Sequence, residues 1–234
     1  AVYGFTYSYD AVSNRSTKTD TVAVQATYYS YNGLNLLTKE YVKQTNATNY
    51  FTYDLSQRMT KEYSTTQATY FTFNQRNMAK EIDLVPSAGT AMRSEAYFAY
   101  TGVGERSYVF DRNAGTPHAY WAYDGRKLIA ERDTSGSTFR RYRNNEIPQD
   151  AAVGSIVEVG DGTFGLVYPA FDHVGSTTQL KGADANSYFQ YDAFGVRLGA
   201  SDSVKQRKQF ATSEYVWTNI TEGFLLRGGS VYLP

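Results

Sequence analysis

The sequence predicts an all-β protein, an antiparallel array of β-hairpins, because one short motif recurs at a fixed period. An aromatic residue, a small polar residue, a second aromatic residue and then Asp or Asn stand at Tyr7–Asp10, Tyr29–Asn32, Phe51–Asp54 and Phe71–Asn74. The second aromatic residues are separated by 22, 22 and 20 residues: Tyr9, Tyr31, Tyr53 and Phe73. A fixed period is typical of repeat architectures. No segment has the apolar spacing of a long helix.

Each unit is predicted to form one hairpin. Aromatic residues at positions i and i+2 lie on the same face of a strand and suit a half-buried sheet. The acidic or amide residue ends the strand, because its side chain can bond the backbone two residues further on: Asp10, Asn32, Asp54 and Asn74. A short turn and a return strand containing Lys-Glu follow. We therefore expect the four second aromatic residues to share one face of a continuous sheet.

The repeat becomes less regular further along the chain. Asp83–Ser94 contains proline and glycine and is predicted to be a longer loop. Repetition resumes at Tyr97–Tyr100, and most clearly at Tyr123 and Asp124, where the following Gly125 favours a tight turn with positive φ. After residue 143 the sequence changes to short, glycine-spaced strands. We therefore predict a hairpin array over 1–143 and a second β region over 144–234 that continues the sheet.

These motifs resemble the YD repeat of the RHS (rearrangement hot spot) family, which includes bacterial polymorphic toxins, toxin-complex C components and animal teneurins. A later stretch resembles the RHS-associated core of that family, in two ordered pieces that contain Asp172, His173, Gly175 and Ser176, then Tyr191, Asp192, Phe194 and Gly195. Gly223–Pro234 is similar to the segment that follows the core, with Leu233 where the family has aspartate. The resemblance covers nearly the whole chain.

The resemblance implies a segment of an RHS shell, a spirally wound antiparallel sheet of YD-repeat β-hairpins around an internal space. In toxin relatives the shell encloses an effector, and in teneurins a related barrel supports adhesion. We therefore expect a non-catalytic structural wall segment of a larger exported protein, secreted or at the cell surface, that encloses or carries a cargo or effector domain. Two alternatives remain open: an extracellular carbohydrate-binding or cell-adhesion module, and the remnant of a self-processing toxin without its protease and effector parts.

Composition excludes several classes of function. The 23 basic and 23 acidic residues give a net charge of zero and form no basic stripe, so we expect no nucleic-acid partner. No apolar run is long enough to span a bilayer. The absence of cysteine excludes thiol nucleophiles, disulfides and thiolate metal ligands. We interpret the sequons at Asn14, Asn46 and Asn219 as chance matches in a chain rich in Asn, Ser and Thr, with glycosylation the alternative in a eukaryotic secreted protein.

The sequence predicts no catalytic residues, cofactor or metal. Asp172, His173 and Ser176 have the residue types of a hydrolytic triad, but they crowd within five residues, whereas triads are assembled from separated elements. We interpret Asp172 and His173 as turn residues. Four aspartates are candidate calcium ligands, but none lies in an alternating acidic loop: Asp111, Asp133, Asp161 and Asp192. Exposed tyrosines could stack on sugars or single-stranded nucleic acid, although cross-strand packing is the commoner role of such residues.

The two sheet edges lead to an expectation about partners. Phe5, Tyr7 and Tyr9 already follow the repeat pattern, and Val231–Pro234 is apolar. Exposed aromatic edges promote aggregation. We expect these edges to pair with the remainder of a longer parent chain or with further subunits, and an enclosed effector or a surface glycan to be a further partner.

Overall fold

Every regular element in the described part of the chain is a β-strand, which confirms the predicted fold class. The structure is a computed structural model. It describes residues 4–86, 94–111, 116–125, 127–132, 138–143, 156–159, 165–173, 176–182, 186–195, 197–201, 214–215, 225–227 and 230–232. In these residues there is no helix of the length and hydropathy needed to cross a membrane.

The strands are short and rich in aromatic and β-branched residues, the types that favour a pleated sheet. In chain order they are β1 (Phe5–Tyr9), β2 (Arg15–Asp20), β3 (Gln25–Tyr31), β4 (Leu37–Val42), β5 (Ala47–Tyr53), β6 (Met59–Tyr63), β7 (Gln67–Phe73), β8 (Ala79–Pro86), β9 (Ser94–Tyr100), β10 (Arg106–Asp111), β11 (Thr116–Asp124), β12 (Lys127–Arg132), β13 (Thr138–Arg143), β14 (Ile156–Val159), β15 (Gly165–Phe171), β16 (Thr177–Gly182), β17 (Asn186–Tyr191), β18 (Arg197–Ser201), β19 (Glu214–Tyr215), β20 (Leu225–Arg227) and β21 (Ser230–Tyr232).

The first of two compact units comprises residues 1–72 and 82–93. Strands β1 to β7 pair in chain order, each antiparallel to the next. Residues directly opposite each other in such a pair lie on the same face of the sheet. The side chains that are most deeply buried in this unit are Phe51, Thr69, Phe71, Ile82 and Asp83.

The second unit comprises residues 73–81 and 94–234. Strands β9 to β18 pair in chain order, again antiparallel, and β19 to β21 form a small separate sheet. Phe98, Val109, Trp121 and Phe189 are buried. The guanidinium carbon of buried Arg106 lies 5.4 Å from the centroid of the Phe98 ring and 5.1 Å from that of Trp121, which offsets part of the cost of burying this cation.

A β-bulge recurs at the strand end that carries the second aromatic residue. The pairing shifts by one residue at this point in many of the hairpins, where the residue pairs are Tyr9–Arg15, Tyr31–Leu37, Tyr53–Met59, Tyr123–Leu128, Phe171–Thr177 and Tyr191–Arg197. A bulge bends the strand and increases its local twist, so the aromatic side chain is directed differently from its neighbours.

The predicted loop over Asp83–Ser94 is wrong at both ends. Strand β8 runs on to Pro86, and β9 begins at Ser94. The apolar residues that follow buried Ile82 favour a strand, and a proline at the last position removes no hydrogen bond from the middle of a sheet. Residues 87–93 lie outside the described part. Strand β13, which ends at Arg143, pairs with β14, which begins at Ile156. The predicted domain boundary between residues 143 and 144 therefore falls between two paired strands, and it stays a prediction.

Candidate functional site

The turn of each repeat is built around one acceptor side chain. In the β5–β6 hairpin, Asp54 Oδ1 accepts hydrogen bonds from the backbone N–H groups of Ser56, at 2.9 Å, and Arg58, at 3.0 Å. The Asp54 N–H donates to the Arg58 carbonyl at 2.9 Å, and the Gln57 N–H donates to the Asp54 carbonyl at 3.0 Å. One carboxylate therefore satisfies two turn N–H groups that the sheet leaves without a partner.

The same kind of turn recurs along the chain, and at Asp10, Asn32, Asp54 and Asn74 it confirms that the side chain bonds the backbone two positions further on. The backbone N–H donors to the first side chain are Val12 and Asn14 at Asp10, Leu34 and Leu36 at Asn32, Arg76 and Met78 at Asn74, Glu105 at Thr101, Ser176 at Asp172, and Phe194 at Asp192. Aspartate, asparagine and threonine share a short side chain with an oxygen acceptor, and this is what the position requires.

The fourth residue of these turns has a left-handed backbone. Its φ is +68° at Ser13, +59° at Asn35, +62° at Gln57, +60° at Asn77, +92° at Gly104 and +94° at Gly195. A type I turn followed by a residue in this conformation is a common three-residue hairpin loop. Gly125, with φ of +59°, confirms the positive φ predicted after Asp124.

In four hairpins the second aromatic residue is a tyrosine that joins the hairpin to the one before it. The hydroxyl of Tyr31 donates to the Arg15 carbonyl at 2.9 Å, and that of Tyr53 donates to the Leu37 carbonyl at 2.7 Å. In the second unit the hydroxyl of Tyr100 donates to the Ala79 carbonyl, and that of Tyr123 to the Arg106 carbonyl, both at 2.6 Å. The acceptors occupy equivalent places at the start of a return strand. Phe73 has no hydroxyl with which to make this bond.

The residues that resemble the RHS-associated core form two further turns. Asp172 Oδ1 accepts from the Ser176 N–H at 2.8 Å, while His173 is exposed and Ser176 is buried. Asp192 is buried, and its Oδ1 accepts from the Phe194 N–H at 2.8 Å. Gly175 lies outside the described residues. This geometry agrees with the interpretation of Asp172 as a turn residue, and the absence of enzymatic activity stays a prediction.

Metal binding finds no support in the geometry. Among the described residues, no group of three or more His, Asp and Glu side chains is arranged to hold a metal ion. Of the four aspartates that are candidate calcium ligands, Asp192 has the turn role described above. Asp133 and Asp161 lie outside the described residues, as does the side chain of Asp111.

The two faces of strands β3 to β7 carry opposite charges. Strands β3 to β7 contain four charged residues, in two Lys-Glu pairs: Lys39–Glu40 and Lys61–Glu62. Successive side chains of a strand point to opposite faces. Lys39 and Lys61 lie directly opposite Tyr50 and Tyr70, whereas Glu40 and Glu62 lie directly opposite Tyr29 and Phe51. The repeated dipeptide thus places both lysines on one face and both glutamates on the other.

The lysine face carries a row of tyrosines, which we call the tyrosine–lysine strip: Tyr28, Lys39, Tyr41, Tyr50, Lys61, Tyr63 and Tyr70. Tyr28 stacks on Tyr41, with ring centroids 6.3 Å apart, and Tyr50 stacks on Tyr63 at 5.3 Å. The two ammonium groups fill the remaining gaps. Lys39 Nζ lies 5.6 and 6.0 Å from the Tyr41 and Tyr50 centroids, and Lys61 Nζ lies 4.5 and 5.1 Å from those of Tyr63 and Tyr70.

The glutamate face contains a carboxyl group with a perturbed proton affinity. Glu62 lies between its strand partners Phe51 on β5 and Thr69 on β7, both of which are buried. Burial, and then the negative charge of Glu40, raises the pKa of Glu62 to about 7. Asn49 Nδ2 donates to Glu40 Oε2 at 3.4 Å. Glu62 is therefore only partly ionised near neutral pH.

The turn residues follow from the sequence pattern, but three features of the structure were not predicted. These are the tyrosine hydroxyl bonds between hairpins, the separation of the lysines from the glutamates, and the raised pKa of Glu62. The alternation of Lys and Glu in a predicted strand was a sufficient signal for the second feature. The other two depend on which strands become neighbours and on where the bulges shift their pairing.

Comparison with solved structures supports the fold. The chain is similar over 100% of its length to 15% of a chain in the crystal structure of TcdB2-TccC3-Cdc42, with a TM-score of 0.51 and 13% identity. The crystal structures of TcdB2-TccC3 and TcdB2-TccC3-TEV each give a TM-score of 0.50 at 13% identity, again over 100% of this chain and over 16% and 15% of theirs. No family model and no curated protein sequence matches the chain. The likeness supports the all-β fold, and the chain spans less than a fifth of the length of these neighbours.

Proposed function

We propose that this chain is a non-catalytic wall segment of a larger exported β shell that encloses or carries a cargo or effector domain. The observation that carries the proposal is the repeated tyrosine hydroxyl bond, which links four of the hairpins to the preceding one through Tyr31, Tyr53, Tyr100 and Tyr123. Units that each contact mainly their neighbours make an extendable sheet. That property suits a wall more than it suits a catalytic pocket.

Two further observations support this proposal. The structural neighbours have the same architecture in a far longer chain, as expected of a segment that works with additional wall. The acceptor side chains of the repeat are engaged in turns, and four of its tyrosines link neighbouring hairpins, so both contribute to rigidity. In this proposal it is the complete shell, and not this segment alone, that encloses a cargo and is located outside the cell.

Insertion of a whole repeat tests the extendable wall. A copy of residues 32–53 placed after Tyr53 keeps every turn, bulge and hydroxyl bond in phase, so the protein should fold and expose more surface on unfolding, with a larger denaturant m-value. The matched control inserts residues 32–42, half a period, and should unfold or aggregate. Equal loss of folding in both proteins would show that the sheet is a closed structure and would contradict the wall.

Enclosure and inertness have separate tests. In the full-length parent protein, protease should leave the cargo domain intact until the wall is opened by Tyr53→Ala together with Tyr31→Ala. Cargo that is cleaved equally fast in both proteins would contradict enclosure.

For inertness, His173→Gln should leave any hydrolytic activity of a purified preparation unchanged, because exposed His173 has only a turn role in this proposal. An activity lost specifically in that variant would make the protein an enzyme.

A further inference from the structure

The tyrosine–lysine strip offers hydroxyl and ammonium groups to solvent. Tyr28, Tyr50 and Tyr70 keep 41%, 40% and 40% of their surface exposed. Each of these rings already has a neighbour against it: Tyr28 has the Tyr41 ring, Tyr50 has the Tyr63 ring and Lys39, and Tyr70 has Lys61. What remains accessible is a line of ring edges, phenol hydroxyls and charged amines, which suits hydrogen bonding and ion pairing.

The charge on this surface is sparse and of one sign. Strands β3 to β7 place no acidic residue on the lysine face, because both of their glutamates lie on the opposite face. Lys39 is on β4 and Lys61 on β6, two strands further along, so the ammonium groups recur every roughly 10 Å at the usual strand separation. Tyrosines occupy the positions between them. A complementary ligand is a linear polymer with hydroxyl groups throughout and one negative charge at about every second unit.

We propose that the tyrosine–lysine strip binds an acidic polysaccharide in which charged and neutral sugars alternate, lying across strands β3 to β7. The carboxylate or sulfate groups pair with Lys39 and Lys61, and the sugar hydroxyls bond the phenols of Tyr28, Tyr50 and Tyr70. This activity lies beyond the wall function and does not depend on it, since it needs only the first unit.

The same observations weigh against single-stranded nucleic acid. Bases bind by stacking on free aromatic faces, whereas each ring here already has at least one partner within the sheet. A phosphate on every nucleotide also calls for a denser row of cations than two lysines in five strands. The chain as a whole has a formal net charge of zero, unlike the basic surfaces typical of nucleic-acid binding.

Binding should be measured with a fluorescent hyaluronan octasaccharide, whose uronic acid and N-acetylhexosamine units alternate, and a neutral dextran octasaccharide of equal length. We expect salt-sensitive binding of the acidic probe and none of dextran. Lys39→Gln with Lys61→Gln should weaken binding about tenfold, as expected for the loss of two ion pairs to half-buried lysines at the protein surface. Lys80→Gln with Lys181→Gln removes the same charge from exposed positions outside the strip and should leave the affinity within about twofold.

A second variant keeps the test independent of charge. Tyr50→Phe retains the ring that stacks on Tyr63 and removes only the hydroxyl, so the fold should be kept and affinity should fall severalfold. Undetectable hyaluronan binding, or equal loss in the strip variant and its charge-matched control, would overturn the proposal. Tighter binding of an oligothymidine octamer, or of a polyglutamate peptide, would overturn it in favour of a nucleic acid or an acidic protein segment.

Discussion

The turns and the strand faces of the same repeats differ in how strictly their chemistry is constrained. In the turns, one short oxygen acceptor receives backbone hydrogen bonds from residues two or four positions further on, from Asp10 to Asp192. On the face of the first aromatic residue, the residue directly opposite it changes along the chain: Lys18, Glu40, Glu62, Val109 and Glu131. A turn requires particular atoms at particular positions, whereas a face tolerates any side chain that its neighbours can accommodate. The turns therefore maintain the array, and the faces are free to acquire separate functions.

The largest effect should come from removing an aromatic ring from the buried face. Phe51→Ala should lower the free energy of unfolding by about 4 kcal/mol, because Phe51 is buried and its removal leaves a cavity. The matched control is Tyr50→Ala, one residue away on the opposite face, which loses mainly a cross-strand stack and should cost about 1 kcal/mol. Urea denaturation measures both. Equal costs would mean that the two faces are buried to a similar degree.

The turn and the alternation of faces could be predicted from the sequence because both follow from residues close together in the chain. Asp54 reaches only as far as Arg58, and Lys61 and Glu62 are adjacent. The bond from Tyr53 to Leu37 spans 16 residues, and it depends on strand pairing and on the bulge beside Tyr53. The extension of β8 to Pro86 was missed because proline and glycine nearby outweighed the apolar residues in the prediction.

The next largest effect should be a pH dependence of stability that comes from Glu62 on the glutamate face. The pKa of Glu62 is raised from 4.5 to about 7 in the folded protein, so the folded state binds this proton more tightly than the unfolded state does. Stability is therefore greatest below the unfolded pKa, falls as pH rises to about 7, and is constant above it. The loss is on the order of 3 kcal/mol, since each pKa unit corresponds to about 1.4 kcal/mol.

Replacing Glu62 tests this linkage. Glu62→Gln should remove most of the decline and make the protein more stable than the unmodified chain at pH 8. Glu40→Gln should lower the Glu62 pKa by a smaller amount, because the charge of Glu40 is the second cause of the shift and burial is the first. Chemical denaturation at a series of pH values checks both variants. An unchanged slope in Glu62→Gln would assign the decline to another group.

A smaller loss of stability is expected from substitutions in the turns, where it should depend on the acceptor oxygen of the side chain rather than on the side chain's size. Asn32 Oδ1 accepts from the Leu34 and Leu36 N–H groups at 2.9 and 3.0 Å, and Asn32→Ala removes both bonds. The cost should be about 2 kcal/mol, near 1 kcal/mol for each hydrogen bond. Asn32→Asp keeps the acceptor and should retain nearly all of the stability. Thermal unfolding distinguishes the two, and equal losses would show that the side-chain oxygen is not what the turn requires.

The smallest effect should be a gain, at the connections between one hairpin and the next. Val24 and Asn46 occupy the same position, immediately before β3 and β5, and both have a left-handed backbone, with φ of +51° and +54°. A β-branched residue in this conformation is strained, whereas asparagine tolerates it. Val24 is also exposed, so its side chain adds little packing that a substitution would lose.

Val24→Gly should therefore raise the free energy of unfolding by about 1 kcal/mol, because the relief of backbone strain exceeds the added entropy of the unfolded chain. Asn46→Gly removes little strain and should change stability by no more than a few tenths of a kcal/mol. Val24→Asn should recover most of the gain without adding a glycine, which separates backbone strain from unfolded-state entropy. Urea midpoints at an unchanged m-value measure all three. If Val24→Gly and Val24→Asn both leave the midpoint unchanged, valine at position 24 is as well suited to its connection as asparagine is at position 46, and the strain argument is wrong.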